Sequence, residues 1–324
     1  MRDVETRIEH WPLAAPFRIS RGIKTVAEVV TVELHVGGQV GRGECVPYPR
    51  YGDSAESVSR QIDEVREALA KGARGDLPGL LPPGPAMNAI DCALWDLEAK
   101  LSGRSVEQML GKTVPPVLTA LTVSLDTPDR MAAAAAAIRE AALIKVKVNA
   151  EEPEACIGAV RRAAPGAALI VDPNESWDLD LLTRMQPILQ ELRVEFVEQP
   201  LPCEDDFGLE GFEPLVPICA DESCHTAKDL DILRRRYGMV NIKLDKTGGL
   251  TGGLELLEAA RARGFGVMVG CMVSTSLSIA PAMHIAARAD YADLDGPLWL
   301  KEDRPGGVSL QDGRLTPATD LCWG

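Results

Sequence analysis

The chain has no CxxC pair, no long apolar run and no excess of positive charge. Each absence removes a class of function. Eight cysteines are scattered without paired metal-ligand spacing, so they are expected to be reduced, mostly buried thiols rather than a zinc site or a disulfide framework. No stretch approaches the length needed to span a bilayer, and Met1-Arg2-Asp3-Val4-Glu5-Thr6-Arg7 lacks the apolar core of a secretory signal. A cytoplasmic protein that does not engage a membrane is therefore expected. The formal charge of −14 argues against nucleic acid, which is held by clustered Lys and Arg. No GxGxxG follows an early strand, which weighs against a dinucleotide fold. The longest alanine tract, Ala132 to Ala137, lies between Arg130 and Arg139 and reads as helix.

What is present falls into two regimes. From Met1 to about Val46 the residues alternate as in strands, for example Val29-Val30-Thr31-Val32-Glu33-Leu34-His35-Val36 before the Gly37-Gly38 turn. Helical spacing follows over Ala55–Lys71 and Pro85–Leu101, separated by a Gly- and Pro-rich loop. This is an α+β lobe. After Pro115-Pro116, short β-rich runs recur: Leu118–Val123, Ile144–Val148, Leu169–Val171, Val194–Val197, Pro217–Ala220, Val240–Leu244, Val267–Val269 and Tyr291–Leu294. Helical segments alternate with them, such as Thr127–Ala142 with its first-turn proline and acid. Eight such periods predict a (β/α)-barrel of the modified TIM type, (β/α)7β, over residues 113–299. The α+β capping domain is placed at residues 1–112, completed by about 300–324.

In a barrel, chemistry sits at the C-terminal ends of the strands. Asp172, Glu198 and Asp221 close three successive predicted strands and converge near the axis. Three carboxylates forced together need a cation, and an all-oxygen site of this charge suits one Mg²⁺. Lys145 and Lys147 alternate with Ile144, Val146 and Val148 and so point inward from one strand. Lys243 comes from the strand almost opposite. Nearby positive charge, here Mg²⁺ and Lys145, is expected to lower a lysine's pKa towards that of a base. A carboxylate substrate held by the cation, with an amine on either flank of its α-carbon, defines 1,1-proton transfer. A magnesium-binding protein without turnover is the competing class, disfavoured by the inward lysines.

In sequence order, Lys145-Val146-Lys147, Val171-Asp172-Pro173-Asn174, Glu198-Gln199-Pro200, Asp221-Glu222-Ser223 and Asn241-Ile242-Lys243 with Gly248-Gly249 resemble the muconate-lactonizing subgroup of the enolase superfamily over essentially the whole chain. The helix Ala89 to Leu97 resembles the end of that family's capping domain. The resemblance implies Mg²⁺ with Lys147 and Lys243 as acid and base, Lys145 beside them, and Asp172, Glu198 and Asp221 as ligands. Within the subgroup the chain is similar to the dipeptide epimerases, whose last strand carries Asp-x-Asp, here Asp293-Leu294-Asp295. That implies a small-molecule dipeptide substrate of the L-Ala-Glu type, Asp293 holding its α-ammonium, and a role in recycling cell-wall peptides. A helix-capping pair before Gly296-Pro297 is the plain alternative for these acids. N-acylamino-acid racemase, o-succinylbenzoate synthase and cycloisomerase activities are the alternatives within the subgroup.

By the same resemblance the first lobe caps the barrel mouth through Pro16–Lys24 and Glu44–Gly52, which place Lys24 and Tyr51 at the substrate. Lys24 stands where relatives that prefer a Glu side chain have arginine. It acts as a point charge rather than a bidentate fork, and Arg18 or Arg21 are candidates to replace it. Thr122, Met272 and Ser274 are expected to frame the substrate and Cys271 to be core. None of His10, His35, His225 and His284 stands where a barrel base would, which disfavours histidine-based branches. Self-assembly into a homo-oligomer is compatible with the sequence.

Overall fold

Alternation in the first regime produces one antiparallel sheet, ordered β1 (Asp3–Ile19), β2 (Gly22–Val36) and β3 (Gln39–Cys45). Val30, Val32 and Leu34 share a face of β2, as a period of two requires, and are fully buried in a core with Ile62, Ile90, Leu94 and Leu97. The helix Pro85–Ser102 supplies the last three of these. Its opposite side places Cys92, Trp95 and Ala99 in the core of the second regime. One helix thus serves two cores, which is why it is buried around its circumference. The expected helix Ala55–Lys71 is instead two, Ala55–Glu64 and Arg66–Leu69, separated at Val65. The computed structural model describes residues 1–317 and 323–324. Cys322 lies outside the described residues, and the other seven cysteines are free thiols.

The second regime folds into one eight-stranded parallel sheet: β5 (Leu121–Val123), β6 (Leu143–Lys147), β7 (Ala168–Asp172), β8 (Val194–Glu198), β9 (Ile218–Ala220), β10 (Met239–Ile242), β11 (Gly266–Gly270) and β12 (Tyr291–Asp293), each beside the next. The barrel closes where Ala120 N–H donates to the Ala292 carbonyl at 2.8 Å and Leu294 N–H donates to Thr119 Oγ1 at 2.9 Å. The predicted run Leu118–Val123 is split. Val117–Leu118 (β4) bonds to a C-terminal hairpin, β13 (Ser309–Gln311) and β14 (Arg314–Thr316), rather than to a barrel strand. The tail also touches the first lobe, where Lys301 N–H donates to the Pro12 carbonyl and Arg304 pairs with Glu9 and Glu44. Between β8 and β9 only 3₁₀ turns form, at Cys203–Asp205 and Phe207–Leu209. Pro200, Pro202, Pro214 and Pro217 crowd that connection and interrupt helical hydrogen bonding. No helix among the described residues is long and apolar enough to cross a membrane.

Strand β3 crosses the Pro85–Ser102 helix at backbone contact. A Cβ on Gly43 would stand 2.0 Å from the Ala89 carbonyl oxygen, and one on Gly41 2.3 Å from that of Ala93. Gly43→Ala is therefore expected to force the sheet off the helix and cost about 2–3 kcal/mol, read as a fall in the thermal midpoint. An unchanged midpoint would show that the two elements separate freely.

Candidate active site

The barrel interior is built in layers, because side chains two residues apart on a strand face the same way. The lower layer is apolar: Ala120, Leu143, Ile170, Phe196, Cys219, Met239 and Met268 form one buried cluster. Two residues further along each of these strands, the layer turns polar: Thr122, Lys145, Asp172, Glu198, Asp221, Asn241 and Gly270, with Asp293 from β12. One more step brings Lys147 and Lys243 to the mouth, together with Asn174, Met272 and Asp295.

These charges pair tightly. Lys145 Nζ lies 2.7 Å from Glu198 Oε2, 2.8 Å from Asp293 Oδ2 and 3.0 Å from Asp172 Oδ2. Lys147 Nζ donates to Asp172 Oδ2 at 2.5 Å, and Lys243 Nζ to Asp221 Oδ2 at 2.6 Å. Strands β6 and β10, which bring Lys147 and Lys243, are four positions apart in an eight-stranded barrel and therefore face each other. Gly270 makes room for this arrangement, since a Cβ there would stand 2.7 Å from Asn241 Nδ2 and 3.1 Å from Lys243 Cε.

Burial penalises every charge here, and the neighbours decide the outcome. For Asp172 burial alone raises the pKa, yet the ammoniums of Lys145 and Lys147 outweigh it and hold the carboxyl well below its usual range. Asp221 is likewise lowered, against its burial, by Lys243, Lys246 and Lys145. Glu198 goes the other way, pushed up to about 8 by burial and by the Asp172 carboxylate. Burial favours the neutral amine of Lys145 and Lys243, and the surrounding carboxylates prevail and raise both; the charge of a bound cation would act in the opposite direction.

The donor set fits a hard divalent cation. Three carboxylates, each 1% exposed or less, converge, and Glu198 Oε2 faces the Lys145 ammonium at 2.7 Å. Among the described residues the three do not close to within 4.8 Å of one another as a set, because the Lys145 ammonium stands between Asp172 and Glu198. Several partners of this set escaped the sequence reading. Lys246, fully buried, donates to Asp221 Oδ1 at 2.6 Å. Asn241 Nδ2 donates to Glu198 Oε1 at 2.8 Å, and Asn174 N–H to Asp172 Oδ1 at 2.9 Å. Lys246 was legible in principle, one helical turn after Lys243 on Leu244–Thr247.

Above these ammoniums lies a cavity of about 460 Å³, covered by the first lobe. Thr122, Lys145, Lys147, Lys243, Met272, Asp293, Asp295 and Lys24 line it. Asp293 Oδ1 has no hydrogen-bond partner. Asp295 accepts from Thr122 N–H at 2.7 Å and Trp299 Nε1–H at 3.3 Å rather than capping the turn that follows. Lys24 has no carboxylate within 4.0 Å among the described residues; burial and the Lys243 charge lower its pKa, and its ammonium lies 5.2 Å from the Tyr48 ring centroid. Three expectations are corrected here. Tyr51 packs behind the lining, against Tyr48 and His225, and Tyr48 takes the lining position. Ser274 is fully buried outside the lining, although its neighbours Met272 and Val273 line the cavity. Cys271 is half-buried: it packs against the barrel core, as expected, and also lines the cavity. Arg18 and Arg21 are spent on acids of the barrel, Asp126 for the first and Glu175 and Glu222 for the second.

Residues 1–111 match the mandelate racemase / muconate lactonizing enzyme N-terminal domain, and residues 129–321 match the enolase C-terminal domain-like family. The chain belongs to the enolase superfamily. It is 48% identical to L-Ala-D/L-Glu epimerase of Escherichia coli (strain K12), over 97% of this chain and 99% of that one. It is 44% identical to N-acetyl-D-glutamate racemase of a Pseudoalteromonas species, over 88% and 91%. A crystal structure from Agrobacterium tumefaciens, of an enolase family member with homology to dipeptide epimerases, holds sodium and L-Ala-L-Glu with an ordered loop. It superposes with a TM-score of 0.98 at 46% identity, covering 100% of both chains. More distant dipeptide epimerases, 28% to 31% identical, are solved with Mg and dipeptides. These relatives are epimerases and racemases, isomerases of the same superfamily as this chain.

Asp245, beside Lys243, links the barrel to the covering lobe by accepting from Val46 N–H at 3.0 Å and Asn88 Nδ2 at 2.8 Å. Burial raises it to about 7, against those hydrogen bonds. Its folded pKa exceeds its unfolded one, so the folded state binds more protons between about pH 4 and 7 and this group's contribution to stability falls as pH rises through that window. Asp245→Asn keeps both accepted bonds and removes the titration. Its stability relative to the native protein is expected to rise from pH 5 to pH 8 by about 2 kcal/mol, measured by denaturant unfolding. A difference that does not vary with pH would contradict this.

Proposed function

We propose that this chain is a Mg²⁺-dependent dipeptide epimerase acting at the α-carbon of the C-terminal residue of L-Ala-D/L-Glu-type dipeptides. The observation that carries the reading is the pair of inward lysines on facing strands, Lys147 and Lys243, at the floor of a covered cavity that also presents Asp293. One lysine, as the neutral amine, takes the α-proton on one face of the substrate and becomes the ammonium, while the other, as the ammonium, gives its proton to the same carbon on the far face and inverts the centre. Lys145, wedged between Glu198, Asp172 and Asp293, keeps the carboxylates apart and adds positive charge beside the reacting carboxylate. Asp172, Glu198 and Asp221 would hold the cation, which when bound offsets negative charge developing on the substrate carboxylate.

The other end of the substrate is set by unused charge. Asp293 Oδ1 offers a buried acceptor to the α-ammonium of the first residue, with Asp295 and Thr122 fixing that wall. Lys24, a half-buried cation with no carboxylate within 4.0 Å among the described residues, matches the Glu side chain as a point charge, and Met272 supplies apolar wall. Residues 1–112, with about 300–324, act as the cap, and 113–299 as the catalytic barrel. The reading extends to recycling of cell-wall peptides in the cytoplasm. A second reading, racemisation of an N-acylated glutamate, is supported by the Pseudoalteromonas relative. An acylated substrate leaves Asp293 Oδ1 without a partner, which favours the dipeptide.

In D₂O with Mg²⁺, deuterium is expected at the α-carbon of the second residue of L-Ala-L-Glu, seen by NMR. Lys147→Ala and Lys243→Ala should each lower epimerisation by about 10³-fold while retaining exchange from one epimer only, a different epimer in each. Asp293→Asn should lower kcat/KM for L-Ala-L-Glu about 10²-fold, and for N-acetylglutamate far less. Equal loss from both epimers in both lysine variants contradicts the two-sided mechanism. Equal loss for both substrates in Asp293→Asn contradicts the dipeptide assignment.

A further inference from the structure

Glu175 does nothing in the chemistry above, yet it collects the charges of both covering loops. It follows β7 on the turn Asp172-Pro173-Asn174-Glu175, and its side chain is only 6% exposed. From the turn between β1 and β2, Arg21 Nη1 donates to Glu175 Oε2 at 2.8 Å and to the Asn174 carbonyl at 2.9 Å. From the loop after β3, Arg50 Nε donates to Glu175 Oε2 at 2.8 Å and Nη2 to Oε1 at 2.9 Å, a fork on one carboxylate. Cys203 N–H donates to Oε1 at 3.0 Å from the barrel side. These same two loops bring Ile23, Lys24, Tyr48 and Arg50 over the cavity.

The backbone beneath is held in a costly shape. Asn174 and Glu175 have φ of 47° and 67°, and Gln199, whose carbonyl accepts from Glu175 N–H at 2.9 Å, has φ of 36°. Non-glycine residues occupy this left-handed region only where surrounding contacts enforce it. Here the enforcement aims one carboxylate upward between two arginines of separate loops. Arg21 has further acceptors, Glu222 Oε1 at 2.6 Å and Tyr48 Oη at 2.8 Å, and Arg50 has Glu204 at 2.6 Å. Glu175 is the acceptor the two arginines share.

We infer that Glu175 is a positioning residue that latches both cap loops over the cavity and so retains the substrate, without touching the reacting atoms. Its kinetic consequence rests on the epimerase reading; its structural consequence does not. Substrate affinity is reduced by the fraction of molecules in which the loops are not closed. Glu175→Gln preserves volume and removes the charge that two guanidiniums share. Hydrogen–deuterium exchange followed by mass spectrometry should then accelerate in residues 17–24 and 47–52 together, with the barrel helices and the thermal midpoint unchanged. In the same variant KM for L-Ala-L-Glu should rise about tenfold while kcat at saturation changes by no more than about twofold. Arg50→Gln should accelerate the 47–52 loop alone, and Glu175→Asp should recover part of the protection. Loss of wild-type turnover on every dipeptide would sink the epimerase reading but leave the exchange arm decisive. Unchanged exchange in both loops of Glu175→Gln overturns the latch, as does acceleration spread across the barrel.

Discussion

Everything at this mouth depends on mutual neutralisation of ammonium and carboxylate groups that the barrel buries together. Lys145 alone meets three acids within 3.0 Å, and Lys147, Lys243 and Lys246 each hold one oxygen or more of Asp172 or Asp221. Neither sign survives burial without the other. The strand period places them together: two residues above Leu143, Ile170, Phe196 and Cys219, the same inward positions switch from apolar to charged. The apolar layer closes the barrel below and keeps the dielectric low, so the charges above act strongly on anything that enters.

That dependence explains why the chemical centre was legible in the sequence. Charged residues at the ends of apolar runs have few structural uses, and Lys145-Val146-Lys147 fixes two of them on one face by alternation alone. The order of strands then sets Lys147 and Lys243 across from each other, with no loop geometry required. What a sequence cannot carry is the sum of competing fields at one group. At Lys243, burial and the Lys145 charge favour the neutral amine while Asp221 and Glu198 favour the ammonium and prevail. Counting the acids requires knowing that they converge.

The covering lobe was less legible for a related reason. Its loop residues have no period, so Tyr51 and Tyr48 are equivalent candidates until their rings are placed, and only Tyr48 faces the cavity. Arg21 was a candidate to replace Lys24 and Arg50 carried no signal of its own, because their partners, Glu175 and Glu222, lie more than 120 residues away in the chain. The connection between β8 and β9 shows the same limit from the other side: alternation of strands and helices was the right frame, yet prolines locally overrode it. A resemblance to a family supplied the cap and its role; the physical reading supplied the reason each charge is where it is.

The most direct test is a crystal of this protein grown with L-Ala-L-Glu and Mn²⁺ in place of Mg²⁺, read by anomalous scattering. A single peak bonded to oxygens of Asp172, Glu198 and Asp221, with Lys147 and Lys243 amines on opposite sides of the dipeptide's second α-carbon, is the predicted result. A peak elsewhere, or both amines on one side of that carbon, would contradict the account.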